Sequence, residues 1–132
     1  MPRFSWPLLH GRPRIQIELV FAIGGQRVVR DLIADSGAGS SLSLFDLIMD
    51  EHDCLLCGAV PAISVPLGGT YTGTFPVYNL DIEIPQLSLH RRARVVGVPS
   101  TPVGFDGLAC FRFLNRFAYG NFGDPARFGI EL

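Results

Sequence analysis

The sequence is poor in charged residues and has no long apolar run. Only 17% of its 132 residues are charged, and the formal net charge is −1. So small a net charge provides no general attraction to nucleic acid or to an anionic membrane surface. No apolar segment approaches the roughly 20 residues that a membrane-spanning helix needs. We therefore expect neither nucleic acid nor a membrane as a partner.

Cysteine is also scarce, with three residues in the chain. An odd number of cysteines in a chain of this length argues against a disulfide framework. The segment "MPRFSWPLLHGRPR" carries prolines and arginines where a secretion signal needs a continuous apolar stretch. These two observations predict a cytoplasmic protein.

Apolar residues and turn formers are plentiful. Hydrophobic residues make up 48% of the chain, which also contains 15 glycines and 10 prolines. The length suits one domain, and this composition favours many short strands over long helices. We predict an irregular arm over residues 1–14 and a single all-β domain over residues 15–132. About seven strands and one or two short helices would form a barrel or a sandwich.

Residues 15–23 show a two-residue period. Apolar side chains stand at the odd positions, and Gln16 and Glu18 lie between them. This period predicts a strand with one buried face. The pair Gly24-Gly25 predicts a hairpin turn. A returning strand over residues 26–34 then carries Asp35 at its end.

The rest of the chain predicts further hairpins. The segment "SLSLFDLIMD" (41–50) fits a short helix, although it also fits a strand, and residues 51–62 read as a connection. A glycine-tipped hairpin follows, with a bulge expected near Val77 and Tyr78, where the apolar phase changes. We expect another strand over residues 87–98, a short buried helix within 108–117 and a closing hairpin with Asp124 in its turn.

The stretch "ADSGAGSS" (34–41) allows three functional interpretations. A nucleotide-binding G-x-G-x-x-G loop would start at Gly37, but Leu42 occupies the place of the third glycine, and Asp35 would put negative charge beside a phosphate. A nucleophile elbow, G-x-S-x-G, would centre on Ser36 but has alanine at both glycine places. Both interpretations are disfavoured.

The third interpretation is aspartic protease chemistry. One water, held between an ionised and a protonated carboxyl group, can attack a peptide bond. Two close carboxylates share one proton because both cannot ionise together. The sequence contains Asp-Ser-Gly only once, so the second carboxylate has to come from another copy of the chain. The chemistry therefore predicts a twofold-symmetric homodimer with its active site on the axis.

Several segments in order resemble the retropepsin-like family of single-domain aspartic proteases. They are "LIADSGA" (32–38), the glycine-rich "VPLGGT" (65–70), "STPV" (100–103) and "LACFRFL" (108–114). The resemblance spans residues 15–132. It implies an acid-protease closed barrel with a flap hairpin and one short C-terminal helix. It also implies an aspartic endopeptidase that cleaves peptide or protein substrates as a homodimer without a cofactor.

The resemblance assigns roles to individual residues. Asp35 would be the catalytic aspartate, Ser36 would hold the two active-site loops together across the dimer, and Gly37 would permit the turn. The flap residues that cover substrate would be Leu67, Gly68, Gly69 and Thr70, and the segment beneath the active-site loop would be Leu108, Ala109 and Cys110. Ala38 has no hydroxyl to stabilise an ionised Asp35, which predicts an optimum of activity from mildly acidic to near-neutral pH.

One position departs from the family pattern. Cys110 stands where the family has a glycine close beneath the active-site loop. Cysteine is small and packs well in a core, but it could displace the loop. This departure supports an alternative function, a catalytically silent module for dimerisation or peptide binding.

Other motifs have simpler interpretations. His52, Cys54 and Cys57 have partial zinc spacing, but no second ligand pair follows, so we predict a structural loop and no metal. The run "HRRAR" (90–94) is predicted to be a solvated strand face. Asp106 lacks the hydroxyl-glycine continuation of a catalytic aspartate and is predicted to be a turn residue.

Trp6 lies in the predicted arm. It could pack across a dimer interface or against its own barrel, and the sequence favours neither.

Overall fold

A computed structural model describes residues 2–132, so Met1 of the predicted arm lies outside the described residues. The protein is mostly β. The ten strands within residues 2–132 are β1 (Arg3–Pro7), β2 (Arg14–Val20), β3 (Arg27–Ala34), β4 (Leu47–Asp50), β5 (Pro61–Leu67), β6 (Gly73–Ile84), β7 (Leu89–Val98), β8 (Gly107–Ala109), β9 (Ala118–Gly120) and β10 (Arg127–Glu131). The all-β prediction is confirmed, but the strands exceed the seven that the sequence predicts.

Helices are few and short. They are α1 (Glu51–Leu56), a 3-10 turn (Pro85–Leu87) and α2 (Phe111–Leu114). The carboxylate of Asp50 caps α1 by accepting a hydrogen bond of 2.8 Å from the backbone N–H of His52. Within residues 2–132, no helix has both the length and the apolar character that a membrane crossing requires.

Six strands form a closed barrel in the order β2-β3-β8-β4-β7-β6, with β6 returning to β2. The closing contact is narrow, because β2 and β6 pair only at Glu18 and Glu83. Two like charges directly opposite each other repel, and Arg27 lies between them, with ion pairs to both carboxylates. The structure therefore selects the barrel over the sandwich.

The first strand belongs to a second sheet of three strands, in the order β1-β10-β9. β1 pairs along its whole length with β10, from Arg3 opposite Glu131 to Pro7 opposite Arg127. The prediction of an irregular arm is therefore wrong over this segment. Trp6, only 3% exposed, packs into the core of its own chain.

The β2–β3 hairpin differs from its predicted form at the turn. β2 ends at Val20, and residues 22–25 form the turn, in which Ile23 is 88% exposed. The backbone N–H of Phe21 donates to the carbonyl of Gln26 at 2.8 Å. The glycine pair therefore closes a four-residue turn, and Ile23 is not a strand residue.

The helix favoured for residues 41–50 is wrong, and so is the simple connection predicted after it. Leu47, Ile48 and Met49 are consecutive buried residues of β4, which lies between β7 and β8. A strand covered on both faces is apolar without alternation, so its period cannot distinguish it from a buried helix. The helix begins only at Glu51.

The glycine-tipped hairpin of β5 and β6 matches the prediction, including its irregularity. The pairing register shifts between Pro61 and Ile63, opposite Tyr78 and Val77. The extra residue thus belongs to β5, while the apolar phase of β6 changes at Val77 and Tyr78, which are both buried.

The change of phase allows β6 to contribute to two apolar clusters. Tyr78 and the alternate residues after it belong to the large cluster inside the barrel. Val77 belongs to a smaller cluster, called here the second cluster, which consists of Phe45, Ile48, Val65, Val77, Val96, Val98 and Cys110. Ala38, Leu67, Tyr71, Phe75 and Leu108 pack against it.

The remaining elements follow the sequence closely. The strand predicted up to residue 98 is β7, which begins at Leu89 after the 3-10 turn. The short buried helix is α2, and the closing hairpin is β9 and β10. Along the run 90–94, His90, Arg92 and Arg94 are exposed while Ala93 is buried, which confirms a solvated strand face.

Gly107 is a position where a side chain cannot be accommodated. A Cβ atom there would lie 2.1 Å from the carbonyl oxygen of Ile48, in the neighbouring strand. We expect Gly107→Ala to lower the free energy of unfolding by about 3 kcal/mol or more, because two strands would have to separate. Urea denaturation measures the change.

Gly68→Ala is the matched control, because a Cβ at Gly68 meets nothing within 4 Å. It should change the free energy of unfolding by less than about 0.5 kcal/mol. Equal effects of the two substitutions would contradict the close packing of β8.

Candidate functional site

Asp35 lies directly after β3, where the chain leaves the barrel. Its backbone N–H donates to the carbonyl of Ala109 at 2.9 Å, and its own carbonyl accepts from the N–H of Ala38 at 3.1 Å. One carboxylate oxygen, Oδ1, accepts a hydrogen bond of 3.1 Å from the N–H of Gly37. The side chain is half-buried. Backbone groups therefore fix the carboxylate, and no cation of the described chain is paired with it.

The segment after β8 holds the other end of this loop. The backbone N–H of Phe111 donates to the carbonyl of Ala38 at 2.9 Å. Cys110, fully buried between the two contacts, has ordinary extended backbone angles, φ −89° and ψ 170°. Its side chain packs in the second cluster. The hydrogen bond from Asp35 to Ala109 and the one from Phe111 to Ala38 therefore both form with a cysteine, and not a glycine, at position 110.

The sharp turn of the loop depends on a different glycine from the predicted one. Gly39 has a φ of 74°, in the left-handed region that favours glycine. Gly37 does not have a positive φ, and a Cβ there would lie at an ordinary contact distance, 3.4 Å, from Oδ1 of Asp35. Gly37 therefore contributes its backbone N–H to Asp35, while Gly39 permits the turn.

A cleft with a volume of about 670 Å³ opens above Asp35. Its lining brings together seven of the residues singled out in the sequence, from three distant segments: Asp35, Gly37, Ala38, Leu67, Gly68, Thr70 and Leu108. Ser36 is exposed outside the lining, as is Gly69 at the hairpin tip. Ala109 and Cys110 lie behind the wall, where both are fully buried.

Other lining residues had no assigned role in the sequence. They are Arg12, Ile33, Gly39, Phe45, Ile48, Pro66, Tyr71 and Pro102. The observed register of the β2–β3 hairpin, which the sequence did not predict, explains why Arg12 reaches the cleft. Arg14 lies opposite Ile33, and the carbonyl of Pro13 accepts from the N–H of Ala34 at 3.0 Å. Arg12, which precedes Pro13, therefore lies at the same end of this hairpin as Asp35.

Asp46 is the main electrostatic support behind the cleft. Its side chain is nearly fully buried, and Oδ2 accepts a hydrogen bond of 3.0 Å from the backbone N–H of Arg94. Oδ1 has no hydrogen bond, but it lies 3.5 Å from Nε of Arg112 and 3.3 Å from Nη2 of Arg116. The Asp46 carbonyl also accepts from the N–H of Cys110 at 3.0 Å. Asp46 thus connects β4, β7 and α2.

Arg112 extends this support to the loop that follows Asp35. Its Nη1 donates to the carbonyl of Ser43 at 3.0 Å, and the Ser43 hydroxyl accepts from the N–H of Ser40 at 2.9 Å. The long connection from Asp35 to β4 is therefore anchored to α2.

The other candidate motifs lie outside the cleft. His52 is exposed, whereas Cys54 is fully buried, and within residues 2–132 no three metal-ligating side chains converge. Asp106 accepts a hydrogen bond of 2.8 Å from the backbone N–H of Asp31 and donates its own N–H to the Asp31 carbonyl. Its carboxylate therefore fastens the bend before β8 to β3.

No protein-family model, no curated protein and no solved structure matches the chain. The resemblance to the retropepsin-like family therefore remains a prediction from the sequence motifs.

Removal of the Asp46 carboxylate should destabilise the site. Asp46→Ala leaves Arg112 and Arg116 without their shared partner and the N–H of Arg94 without its acceptor. We expect the free energy of unfolding to fall by about 2–3 kcal/mol, measured by chemical denaturation. Asp81→Ala, which removes an exposed partner of Arg92, should cost under about 1 kcal/mol. A similar cost for both would show that the buried network adds no stability.

The three cysteines should differ in reactivity. Burial, together with the nearby carboxylates of Asp35 and Asp46, raises the pKa of the Cys110 thiol to about 12. Burial also raises the pKa of Cys54 to about 12, whereas Cys57 is half-exposed. Because the thiolate is the reactive form, iodoacetamide at about pH 8 should label Cys57 first.

Mass spectrometry of the alkylated protein identifies the labelled residue. Cys54 and Cys110 should react only after denaturant is added. Rapid labelling of Cys110 in the native protein would show that the segment beneath the Asp35 loop is open.

Proposed function

We propose that the protein is an aspartic endopeptidase of the retropepsin-like type, which hydrolyses peptide bonds as a homodimer. The observation that carries the proposal is the position of Asp35. Its half-buried carboxylate lines a cleft beneath a glycine-tipped hairpin that is distant in sequence. A carboxylate with backbone partners but no cation is suited to activate a water.

Several other aspartates already have structural partners in the fold. Asp31, Asp46 and Asp53 form ion pairs with arginines, and Asp106 binds the backbone of β3. Asp35 forms no ion pair within residues 2–132 and is the acidic residue of the cleft lining. It is therefore the carboxylate best suited to chemistry.

The mechanism needs a second carboxylate, which a second copy of the chain would supply. Asp35 of one copy, ionised, would take a proton from a water, and Asp35 of the other, protonated, would donate to the scissile carbonyl. The exposed side chain of Ser36 could contact the facing loop. The dimer axis would then pass between the two loops, and the active site would exist only in the dimer.

The lining of the cleft supports a peptide as the substrate. Ile33, Phe45, Leu67, Tyr71 and Leu108 offer apolar surface on several sides. An extended peptide could bury alternate side chains there, and its backbone could bond to the N–H and C=O groups of the glycine-rich hairpin tip.

A second candidate is a catalytically silent module for dimerisation or peptide binding. One observation favours it: the cleft of a single chain contains one carboxylate, which cannot by itself form the required pair. In that case, the cleft and hairpin would bind a peptide without cleaving it.

Asp35→Asn is the decisive substitution. It keeps the shape of the side chain and an acceptor for the Gly37 N–H, but it removes the ionisable group. We expect wild-type protein to cleave a peptide library at some pH between about 4 and 8, and Asp35→Asn to reduce the rate at least about 1,000-fold. Mass spectrometry of the products identifies the cleaved bonds.

Asp81→Asn is the matched control, because Asp81 is an exposed carboxylate paired with Arg92 outside the cleft. It should leave the rate unchanged. Analytical ultracentrifugation measures the oligomeric state in parallel. Efficient cleavage by a monomer would refute the two-carboxylate mechanism, and a stable dimer without cleavage would favour the silent module.

A further inference from the structure

Arg12 is a cation in the cleft that has no acidic partner within residues 2–132. It lines the cleft together with Asp35, and these two are the charged residues of the lining. Most of the other arginines have ion pairs: Arg3, Arg14, Arg27, Arg30, Arg92, Arg112 and Arg116. The exposed side chain of Arg12 makes none.

A tight hairpin holds Arg12 in place. The backbones of Leu9 and Arg12 exchange two hydrogen bonds of 3.0 Å. His10 and Gly11 between them both have positive φ, 52° and 73°, as the tightest two-residue turns require. A histidine with a positive φ is uncommon, so the backbone of His10 has an unfavourable conformation in this turn.

The ring of His10 packs this hairpin against the loop before β8. Its centroid lies 5.7 Å from that of Phe105 in an edge-to-face arrangement. A Cβ at Gly104 would come within 2.8 Å of the imidazole, so the ring lies directly over that glycine. The backbone of Arg12 is therefore fixed relative to the loop that carries Pro102, another residue of the cleft wall.

The register of the sheet also fixes Arg12 relative to Asp35. The β2–β3 pairing continues beyond Arg14 through the hydrogen bond from the N–H of Ala34 to the carbonyl of Pro13. Arg12 precedes Pro13 as Asp35 follows Ala34, and both residues line the cleft, yet their side chains form no ion pair. The guanidinium therefore belongs to the same cleft as the proposed reacting carboxylate and forms no ion pair within residues 2–132.

We propose that Arg12 makes this cleft selective for peptides with an acidic side chain close to the residue held at Asp35. The inference rests on the proposed function for the peptide nature of the ligand. A guanidinium binds a carboxylate through two parallel hydrogen bonds. Apart from Arg12 and Asp35, the lining residues are uncharged. The guanidinium of Arg12 is therefore the group in the cleft lining that attracts an acidic side chain.

Matched peptides test this selectivity. In an apolar cleavable peptide, glutamate is placed at each position in turn, and glutamine at the same position is the neutral comparison. At one or more positions we expect kcat/KM for the glutamate peptide to exceed that for glutamine by about fivefold or more, as for a partly shielded ion pair. Arg12→Ala should bring this ratio to about one.

Charge reversal sharpens the test. Arg12→Glu should prefer lysine to glutamine at the same position and disfavour glutamate. Arg92→Ala, which removes an exposed arginine on the outer surface of β7, should retain the wild-type ratio. A ratio near one in the wild-type protein, or a glutamate preference that survives Arg12→Ala, would overturn the proposal.

Binding separates this inference from the proposed catalysis. Fluorescence anisotropy of labelled glutamate and glutamine peptides with Asp35→Asn protein measures affinity without turnover. A glutamate preference that disappears in Asp35→Asn/Arg12→Ala supports the role of Arg12, even where the wild type cleaves nothing and the endopeptidase proposal fails. Equal affinity for the two peptides, or no affinity for either, overturns it.

Discussion

The close packing of β8 between β3 and β4 is the constraint on which the candidate site depends. Three residues of β8 pair in parallel with β3 and antiparallel with β4. Gly107 allows this approach because a side chain there would overlap the Ile48 carbonyl. At the other end of β8, the Ala109 carbonyl reaches the N–H of Asp35. Any widening of this part of the barrel would therefore move the carboxylate.

Buried aspartates in this molecule connect elements of the fold through ion pairs with arginines. Asp53 accepts two hydrogen bonds from Arg30, and Asp46 faces two arginines behind the cleft. The chain contains no lysine, so every side-chain cation, histidine aside, is a planar guanidinium that can bind a carboxylate at two points. Asp35 differs from these aspartates because its half-buried carboxylate has no arginine partner within residues 2–132 and lines the cleft. That contrast separates it from the structural carboxylates.

The sequence predicted elements that depend on neighbouring residues. It did not predict strands that depend on contacts with distant parts of the chain. The alternation in β2 and the glycine-tipped hairpin of β5 and β6 were predicted because both depend on residues that are neighbours in the chain. β1 was missed, because its partner strand, β10, lies more than a hundred residues away and its prolines suggested an irregular segment. β4 was missed because a strand buried on both faces has no two-residue period.

The candidate site was predicted in part for the same reason. Asp35 and the glycine-tipped hairpin could be identified from local motifs. Arg12 could not be identified in this way. The sequence predicted a two-residue turn at Gly24-Gly25, whereas the structure has a four-residue turn, which shifts the pairing of β2 with β3 by two positions. Asp46 carried no sequence signal, since its burial depends on the meeting of β4, β7 and α2.

The second cluster joins the hairpin above the cleft to the loop below it. Leu67 and Tyr71 pack on one side, Ala38 and Leu108 on the other, and all four also line the cleft. An occupant of the cleft would complete the packing of this cluster. A ligand that binds only the folded state adds to the free energy of unfolding in proportion to the logarithm of its concentration. The melting temperature of the domain thus becomes a measure of what fits the cleft, even in the absence of turnover.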